Sequence, residues 1–467
     1  MIPLPEALSL LDEQLQTLPT ERVPLAEALG RYLAQPLRAR FALPPFSKSA
    51  MDGFAVRKAD LDSGMTEFRI LETVAAGAVP SQAVTTGTAT QIMTGAPIPK
   101  GADWVVRVEY SELSGDQVRF TDTEKSSNII ERGENAAAGA EVLSAPRRLR
   151  PSDIGVAASV GYGSVEVFVR PTIAIISTGD ELVEPTSIPG SITGAAGASA
   201  ASGSASAPPA SGTIFNSNSY QLYAHALRAG FAPEYFGIVA DTPEALAKTL
   251  EKAFADAQIV ALSGGVSKGN YDYVPDVLRE FGVETIFHRV AMKPGRPTFF
   301  GVRDRDAAAT GSSTAPASST APGSGTAPGS STAPGSSTAR GSSTAPGSST
   351  PGAANTPARR QYVFGLPGNP VSTFVTFELF ARRLLERMVG IEPVWADRAV
   401  TLGATVRKGD PERTEFVPVA IDGTIATPVR YGGSSHLNAL SSANALLMVP
   451  IGTTELAEGR QVDVRSI

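Results

Sequence analysis

The sequence predicts a multidomain α/β plus β protein. A central, doubly wound α/β domain is joined to a β-rich second domain, a discontinuous helical and extended segment and a C-terminal β domain. Three observations predict this. Apolar runs of strand length alternate with amphipathic helical patterns from 171 to 390. Short apolar runs punctuated by Gly and Pro fill 41–138 and the tail 391–467. Two stretches cannot bury a core: 307–358 repeats Gly-Ser-Ser-Thr-Ala-Pro with one charged residue, Arg340, and 191–212 is nearly all Ala, Ser, Gly and Pro. Both read as flexible insertions, because neither holds enough apolar surface to offset the entropy of ordering it, and the repeat reads as a deletable one.

The elements follow in chain order. Leu8, Leu11, Leu15 and Leu18 fall at helical spacing within 5–18, and Val23 to Leu33 carries a second short helical pattern. Thr66 to Val74, Ala89 to Met93, Trp104 to Tyr110 and Gln117 to Thr121 read as strands of the β-rich domain, 41–138. Pro151 opens a helix over Asp153 to Val160, and Val165, Val167 and Val169 alternate as in a strand. The segment 139–170 therefore reads as a return to the opening unit, 1–40. In the α/β domain, 171–390, the expected strands are Thr172 to Ser177, Tyr235 to Val239, Gln258 to Ser263, Glu284 to Val290, Thr298 to Gly301 and Tyr362 to Gly365. The expected helices are Ser217 to Ala229, Pro243 to Ala255, Tyr273 to Phe281 and Pro370 to Met388, with Gly230 and Gly390 as stops.

A chain of 467 residues with 42% hydrophobic side chains supports roughly two to four cored domains. Its 40 basic and 46 acidic residues give a formal net charge of -6, which argues against nucleic acid or an anionic membrane surface as partner. The absence of cysteine excludes disulfides, thiolate metal sites and a cysteine nucleophile. No run of eighteen apolar residues occurs and the first residues lack a signal-peptide pattern, so the expected compartment is the cytoplasm.

Ligands of open α/β sheets bind beyond the carboxyl ends of the strands, so the loops after each strand carry the chemistry. Ser263-Gly264-Gly265-Val266-Ser267 reads as a phosphate cradle in which glycines bring backbone N–H groups close to an anion, although the P-loop pattern fails at Asn270 and Tyr271. The segment 288–297 brings Arg289, Lys293 and Arg296 to one strand end. Gly365-Leu366-Pro367-Gly368-Asn369-Pro370 feeds a helix start that offers Ser372 to an oxyanion. Glu181, Asp241 and Asp272 fall in the same set of loops, which suits a hydrated Mg²⁺ held by carboxylates beside phosphates. By local chemistry Asp52 reads as the Asp-Gly of a hairpin turn and Thr94 as a turn hydroxyl. His225, His288 and His436 show neither H-E-x-x-H spacing nor a nearby G-x-S-x-G, so a histidine triad is disfavoured, and His225 reads as structural.

Taken in order, 49–56, 92–97, 176–182, 263–267, 292–297 and 365–370 resemble the motifs of the MoeA and gephyrin E-domain family across essentially the whole chain outside the insertions. The resemblance implies a molybdopterin molybdenumtransferase with an elongated, four-part subunit. Its α/β domain would bind molybdopterin, and the discontinuous segment 1–40 with 139–170 would serve dimerisation. The cleft would be shared between the α/β domain of one subunit and the β-rich domain of its partner. Asp52 and Thr94 would then reach across the dimer, and Glu181, Asp241 and Asp272 would line the α/β side as metal ligands or water-positioning groups. The implied substrates are adenylated molybdopterin, handed over by a molybdopterin adenylyltransferase, and molybdate; Mg²⁺-dependent pyrophosphate cleavage would release AMP.

Lys293, Arg296, Ser372, Arg413 and Ser434 match the molybdate pocket. Ser263, Gly264, Gly265, Ser267, Arg289, Pro367 and Pro370 would complete the substrate contacts. The chain departs from the family at Arg289 and Arg296, where Lys is common, at Asn135, where Asp is usual, and at Lys268, often apolar. Two other readings compete. An adenylyltransferase shares the α/β fold and the Ser-Gly-Gly loop but needs a single domain; a non-catalytic molybdopterin-binding scaffold would not need the acidic residues retained here.

Overall fold

The computed structural model describes residues 1–185, 209–266, 273–305, 360–430 and 432–467. The repeat 307–358, most of the first insertion, and Ser267, Lys268 and Asp272 lie outside the described residues. The chain forms two compact units: Met1–Pro19 with Arg170–Met388 and Glu392–Ile467, and Thr20–Val169 with Val389–Ile391.

The first unit is built on six strands and their helices. In chain order these are β1 (Thr172–Thr178), α1 (Asn218–Ala229), β2 (Ala232–Val239), α2 (Pro243–Asp256), β3 (Ile259–Ser263), α3 (Val274–Glu280), β4 (Glu284–His288), β5 (Phe299–Asp304), β6 (Arg360–Leu366) and α4 (Pro370–Thr376). The sheet order is β2-β1-β3-β6-β5-β4; the first four strands are parallel and β5 runs antiparallel to both neighbours. Every residue of β3 is buried, as a strand covered on both faces requires. One layer joins Leu246 and Leu250 of α2 and Val277 and Leu278 of α3 to Ala174, Ile176, Val260 and Leu262. Ile173 and Ile175 alternate with that set and are equally buried, and α1, packed on β1, β2 and α4, supplies the opposite layer. The helix ends follow local chemistry: Gly230 takes the left-handed conformation that closes α1, with φ of 109°, and Thr242 Oγ1 accepts from Ala245 N to cap α2 ahead of Pro243.

Three local expectations are corrected in this unit. The opening helix is Leu4–Asp12 and stops short of Leu15 and Leu18, because Asp12 is gripped by Arg383 at 2.9 and 2.6 Å and Gln16 N donates to the Tyr362 hydroxyl at 3.0 Å. It packs on β4 and on the helix Arg382–Met388, so residues 1–19 group with the α/β unit and not with 139–170. The expected single helix Pro370 to Met388 contains a π segment, Phe377–Ala381, between α4 and Arg382–Met388.

The C-terminal strands Thr414–Asp422, Ile425–Pro428, Arg398–Leu402, Gln461–Ser466 and Ala445–Val449 pair in that order, and the last pairs again with the first, closing a small barrel. Closure leaves these five strands without open edges, apart from the short strand Met292–Lys293, which adds parallel to Thr414 and Glu415.

The second unit holds a six-stranded sheet in the order Trp104–Arg107, Gly53–Val56, Thr88–Ile92, Glu67–Val74, Gln117–Phe120, Ser111–Ser114. Phe54, Phe68, Val106, Val118 and Phe120 form its core. The stretch Val23 to Leu33 is not helical. Thr20–Pro24 is a strand paired with Ser164–Phe168, followed by a turn of 3₁₀ helix, Leu25–Glu27, and the short strand Tyr32–Leu33. The Val165 and Val167 side chains that bury Val23 and Leu33 come from the far end of the unit. Among the described residues no helix is long and apolar enough to cross a membrane.

Glu378, buried in the π segment, ties α1 and the barrel strand Gln461–Ser466 to the α4 helical run. Arg382 Nη1 lies 3.0 Å, Arg465 Nε 3.4 Å and His225 Nδ1 3.3 Å from its carboxylate, and Arg228 also donates to it. Burial pushes this carboxyl up, but the His225 hydrogen bond and the charges of Arg382, His225 and Arg465 outweigh it and hold it far below the usual range. Its contribution is therefore complete above the unfolded-state value of about 4.3 and fades as the pH falls below it. Glu378→Gln is expected to cost about 3–5 kcal/mol in urea unfolding at neutral pH, by leaving the buried Arg465 without its ion-pair partner while Arg382 keeps only Glu386, and the gap from the parent should narrow under acid conditions. A gap that stays constant with pH would show that this carboxylate does not carry the junction.

Candidate active site

β1 and β3 are neighbours, yet the chain leaves them into different helical layers, α1 after β1 and α3 after β3. A crevice opens at such a switch point. It forms a cavity of about 640 Å³ lined by Thr178, Glu181, Asp241, Ser263, Gly264 and Pro367 among others, and Gly265 and Pro370 also belong to its wall.

Backbone approach sets its floor. Gly264 and Gly265 have φ of 103° and 63°, and a Cβ on Gly264 would lie 2.6 Å from the Thr178 carbonyl oxygen. Asn218, at the start of α1, donates from Nδ2 to Ser263 Oγ at 2.8 Å and to the Gly368 carbonyl at 2.6 Å, so one amide spans the loops after β3 and β6. Sequence reasoning missed Asn218; its signal was a polar residue at a helix start facing two glycine turns. Ser372 is buried within α4, while Ser434 reaches the same helix start, accepting from Asn369 Nδ2 at 2.9 Å through its hydroxyl and from Val371 N at 3.1 Å through its carbonyl.

The expected cations Arg289, Lys293, Arg296 and Arg413, and Ser434 with them, do not line this cavity. Arg289 has φ of 72°, its N–H donates to the Thr298 carbonyl, and Val290 N donates to the Arg296 carbonyl, which folds 289–298 into a tight loop. Lys293 is 46% exposed at its side chain, and its Nζ lies 3.0 Å from Oε1 of Glu415, which is only 12% exposed. Arg413 is paired with Asp410, whose carboxyl is held below its usual range by the Glu412 N–H and the Arg413 guanidinium. Both anionic partners escaped the sequence reading, because each belongs to a barrel turn or strand whose packing was not legible.

On the carboxylate side, Glu181 and Asp241 share the cavity wall. Ile214 N donates to the Glu181 carbonyl at 2.8 Å, and Asp180 Oδ1 accepts from Asp241 N at 3.1 Å. Among the described residues no three or more His, Asp or Glu cluster as a ready-made metal cage. Two carboxylates beside an anion cradle are instead the donor set suited to a largely hydrated Mg²⁺ that shares substrate phosphates. Ser267 and Asp272 lie outside the described residues.

In the second unit Asp52 is not the corner of a hairpin. The strand before it, Lys48–Ser49, pairs with Ile129–Ile130, and the strand after it, Gly53–Val56, pairs with Thr88–Ile92 and Trp104–Arg107. Gly53 is required by strand approach, since a Cβ there would lie 2.1 Å from the Val106 carbonyl oxygen. Asp52 is exposed, and its Oδ1 accepts from the Thr94 hydroxyl at 2.7 Å and the Thr94 N–H at 2.6 Å; these two bonds hold its carboxyl below the usual range. The histidines serve local structure: His225 packs edge-on to Phe374 and Phe377, His288 Nε2 lies 3.2 Å from the Val266 carbonyl, and His436 Nδ1 accepts from Gly432 N.

Comparison with known proteins gives family matches to three successive regions of the chain. Residues 2–161 match the MoeA N-terminal region (domain I and II), residues 174–387 a probable molybdopterin binding domain, and residues 401–467 the MoeA C-terminal region (domain IV). A molybdopterin molybdenumtransferase of Nostoc sp. (strain PCC 7120) is 30% identical over 454 residues, covering 95% of this chain and 88% of the relative. One of Bacillus subtilis (strain 168) is 29% identical over 461 residues, covering 95% and 89%. The crystal structure of the molybdopterin biosynthesis moeA protein from Pyrococcus horikoshii OT3 superposes with a TM-score of 0.72 at 27% identity, covering 100% of both chains. Motif order, domain order and full-length similarity coincide, and the chain belongs to the MoeA family of molybdopterin molybdenumtransferases.

Proposed function

We propose that this chain takes adenylated molybdopterin and molybdate, cleaves the pyrophosphate linkage with Mg²⁺, places molybdenum on the dithiolene and releases AMP. The observation that carries this reading is the presence, in one unit, of a glycine-floored cavity bearing two carboxylates and of Lys293 and Arg413 at the barrel junction. The glycine loops suit phosphate oxygens, since no side chain at Gly264, Gly265 or Gly368 keeps an anion from the backbone, although the Gly264 N–H itself is donated to the Leu366 carbonyl. Lys293, Arg296 and Arg413 suit a tetrahedral dianion. Glu181 and Asp241 would hold Mg²⁺, which would neutralise charge developing on the cleaved phosphoanhydride. Water adds across that linkage, giving AMP and molybdopterin bearing its own phosphate. The β-rich unit and the barrel, which an adenylyltransferase would not require, favour the insertion step.

The role of Asp52 belongs to this proposal. An exposed carboxylate fixed by two donors from Thr94 is favoured in its ionised form, and among the described residues no cation is paired with it. A homodimer in which Asp52 and Thr94 complete the partner's cleft accounts for it, and an adenylyltransferase handing over its product would supply the substrate.

Two experiments test this. AMP release from adenylated molybdopterin should require both Mg²⁺ and molybdate, stop with EDTA and resume on adding Mg²⁺. Glu181→Ala should lower the rate by at least about a hundredfold, the size expected for loss of a group that positions metal or water; bound substrate with no AMP from the parent protein would support the scaffold reading instead. Separately, Thr94→Val removes the hydroxyl donor and should raise the Asp52 titration toward the ordinary carboxylate value, followed by NMR of its carboxyl carbon. An unchanged titration would show that Thr94 does not set this charge.

A further inference from the structure

One wall of the cavity has no role in the scheme above. The two-residue strand Leu182–Val183 pairs with Ile214–Phe215, and both residues of the second strand line the cavity while Ile214 is 56% and Phe215 42% exposed. Large apolar side chains kept in water on a fixed ribbon forfeit the stabilisation that burial gives. This ribbon is fixed. Ile214 N donates to the Glu181 carbonyl and Asn216 N to the Val183 carbonyl at 2.9 Å. The Asn216 side chain, 1% exposed, is locked beneath: its Oδ1 accepts from Ser177 Oγ and Ser219 N, each at 3.2 Å, and its Nδ2 donates to the Tyr235 hydroxyl at 2.7 Å. The Tyr235 hydroxyl in turn donates to Glu184, and Tyr220 does so at 3.1 Å. Two residues on, Asn218 is tied to Ser263 and Gly368 across the cavity floor. Phe215 is thus an aromatic ring directly ahead of two anchored asparagines, Asn216 and Asn218, at the edge of the crevice, and it is the sole aromatic side chain among the described residues that line it.

The geometry points to Phe215 as the platform on which a flat nitrogen heterocycle of the substrate stacks, with Ile214 as its apolar edge. This rests on the proposed substrate, whose two flat rings, pterin and adenine, need a face that the glycine loops and cations do not supply. Its phosphates engage the loops after β1, β3 and β6; a ring joined to them falls on the neighbouring wall, and covering Phe215 recovers the apolar contact that the free protein leaves unmade.

The test uses the full chain with AMP and molybdopterin as separate binding probes and adenylated molybdopterin as substrate. Phe215→Ala should weaken AMP or molybdopterin by about tenfold, the scale of ring stacking on an aromatic side chain, and whichever probe loses affinity identifies the ring. Phe215→Leu keeps apolar bulk without a ring face and should share the loss, Phe215→Tyr should restore affinity, and inorganic molybdate should bind all variants alike. The loss should fall on KM for adenylated molybdopterin more than on kcat. Unchanged affinity for both AMP and molybdopterin in Phe215→Ala, or a change in oligomeric state in place of affinity, overturns the assignment. A parent protein that binds neither probe overturns the substrate reading and the platform with it, whereas parental turnover with unaltered variants overturns the platform alone.

Discussion

The crevice at the carboxyl ends of β1 and β3 depends on two backbones lying closer than a side chain permits. Gly264 packs onto Thr178 with no room for a Cβ, Gly265 turns under Val274, and Gly365 on β6 abuts Val266 in the same way. Each contact fixes the height of one loop relative to the next, so the three strand ends form a single floor. Conformational freedom matters at 264 and 265, where φ is positive, whereas at 365 the requirement is space alone. Everything polar in the site is referred to this floor: Asn218 bridges it, the Ser263 hydroxyl accepts from that bridge, and the α4 start rises from its far edge.

Charge is arranged around the floor with its own restraint. Lys293 reaches out from the junction with the barrel but is held by Glu415, whose position is set by the ladder pairing of Met292 with Thr414 and of Lys293 with Glu415. Arg413 is likewise held by Asp410. If these cations take the molybdate of the proposed reaction, they gain from being oriented yet partly compensated, since an uncompensated cluster would retain the anion and repel itself when empty. In the proposed reaction the barrel would contribute through counter-ions as well as through Arg413 and Ser434, and its closed sheet gives those groups a rigid base.

Much of the α/β architecture was legible because β1, β3 and β6 are short apolar runs and α2 carries its own signals in Thr242 and Pro243. What failed depended on partners remote in sequence. Val23 to Leu33 has helical spacing, but Val165 and Val167 draw it into a sheet. Asp52-Gly53 has the form of a hairpin corner, yet its glycine answers to Val106 and its carboxylate to Thr94. The opening helix ends where Asp12 meets Arg383, and the π segment surrounds a carboxylate whose counter-charges come from three elements. In the site, Glu181, Asp241 and the glycine loops could be read from strand-end logic, whereas Asn218, Glu415 and Phe215 could not, since their roles come from what the fold sets opposite them.

The two low-complexity stretches lie largely outside the described residues, but the chain on either side of each is held in place. The longer one joins β5 to β6, antiparallel neighbours whose last pair is Asp304 with Arg360, closed by an ion pair at 3.3 Å. Extending such a connection costs only about 0.6 kcal/mol for each doubling of its length, so several doublings remain small against the ladder that the strands already form. The shorter one leaves after Glu184 and returns before Ile214. Its exit is held by the Tyr235 and Tyr220 hydroxyls on the Glu184 carboxylate, and its return by the pairing of Ile214 and Phe215 with Leu182 and Val183. Burial and the Glu184 charge push the Tyr220 hydroxyl up to about 12 and the Tyr235 hydroxyl higher still, so both tyrosines remain donors across the physiological range. Length added between clamped ends alters the entropy of the connection and leaves the crevice wall where the sheet sets it.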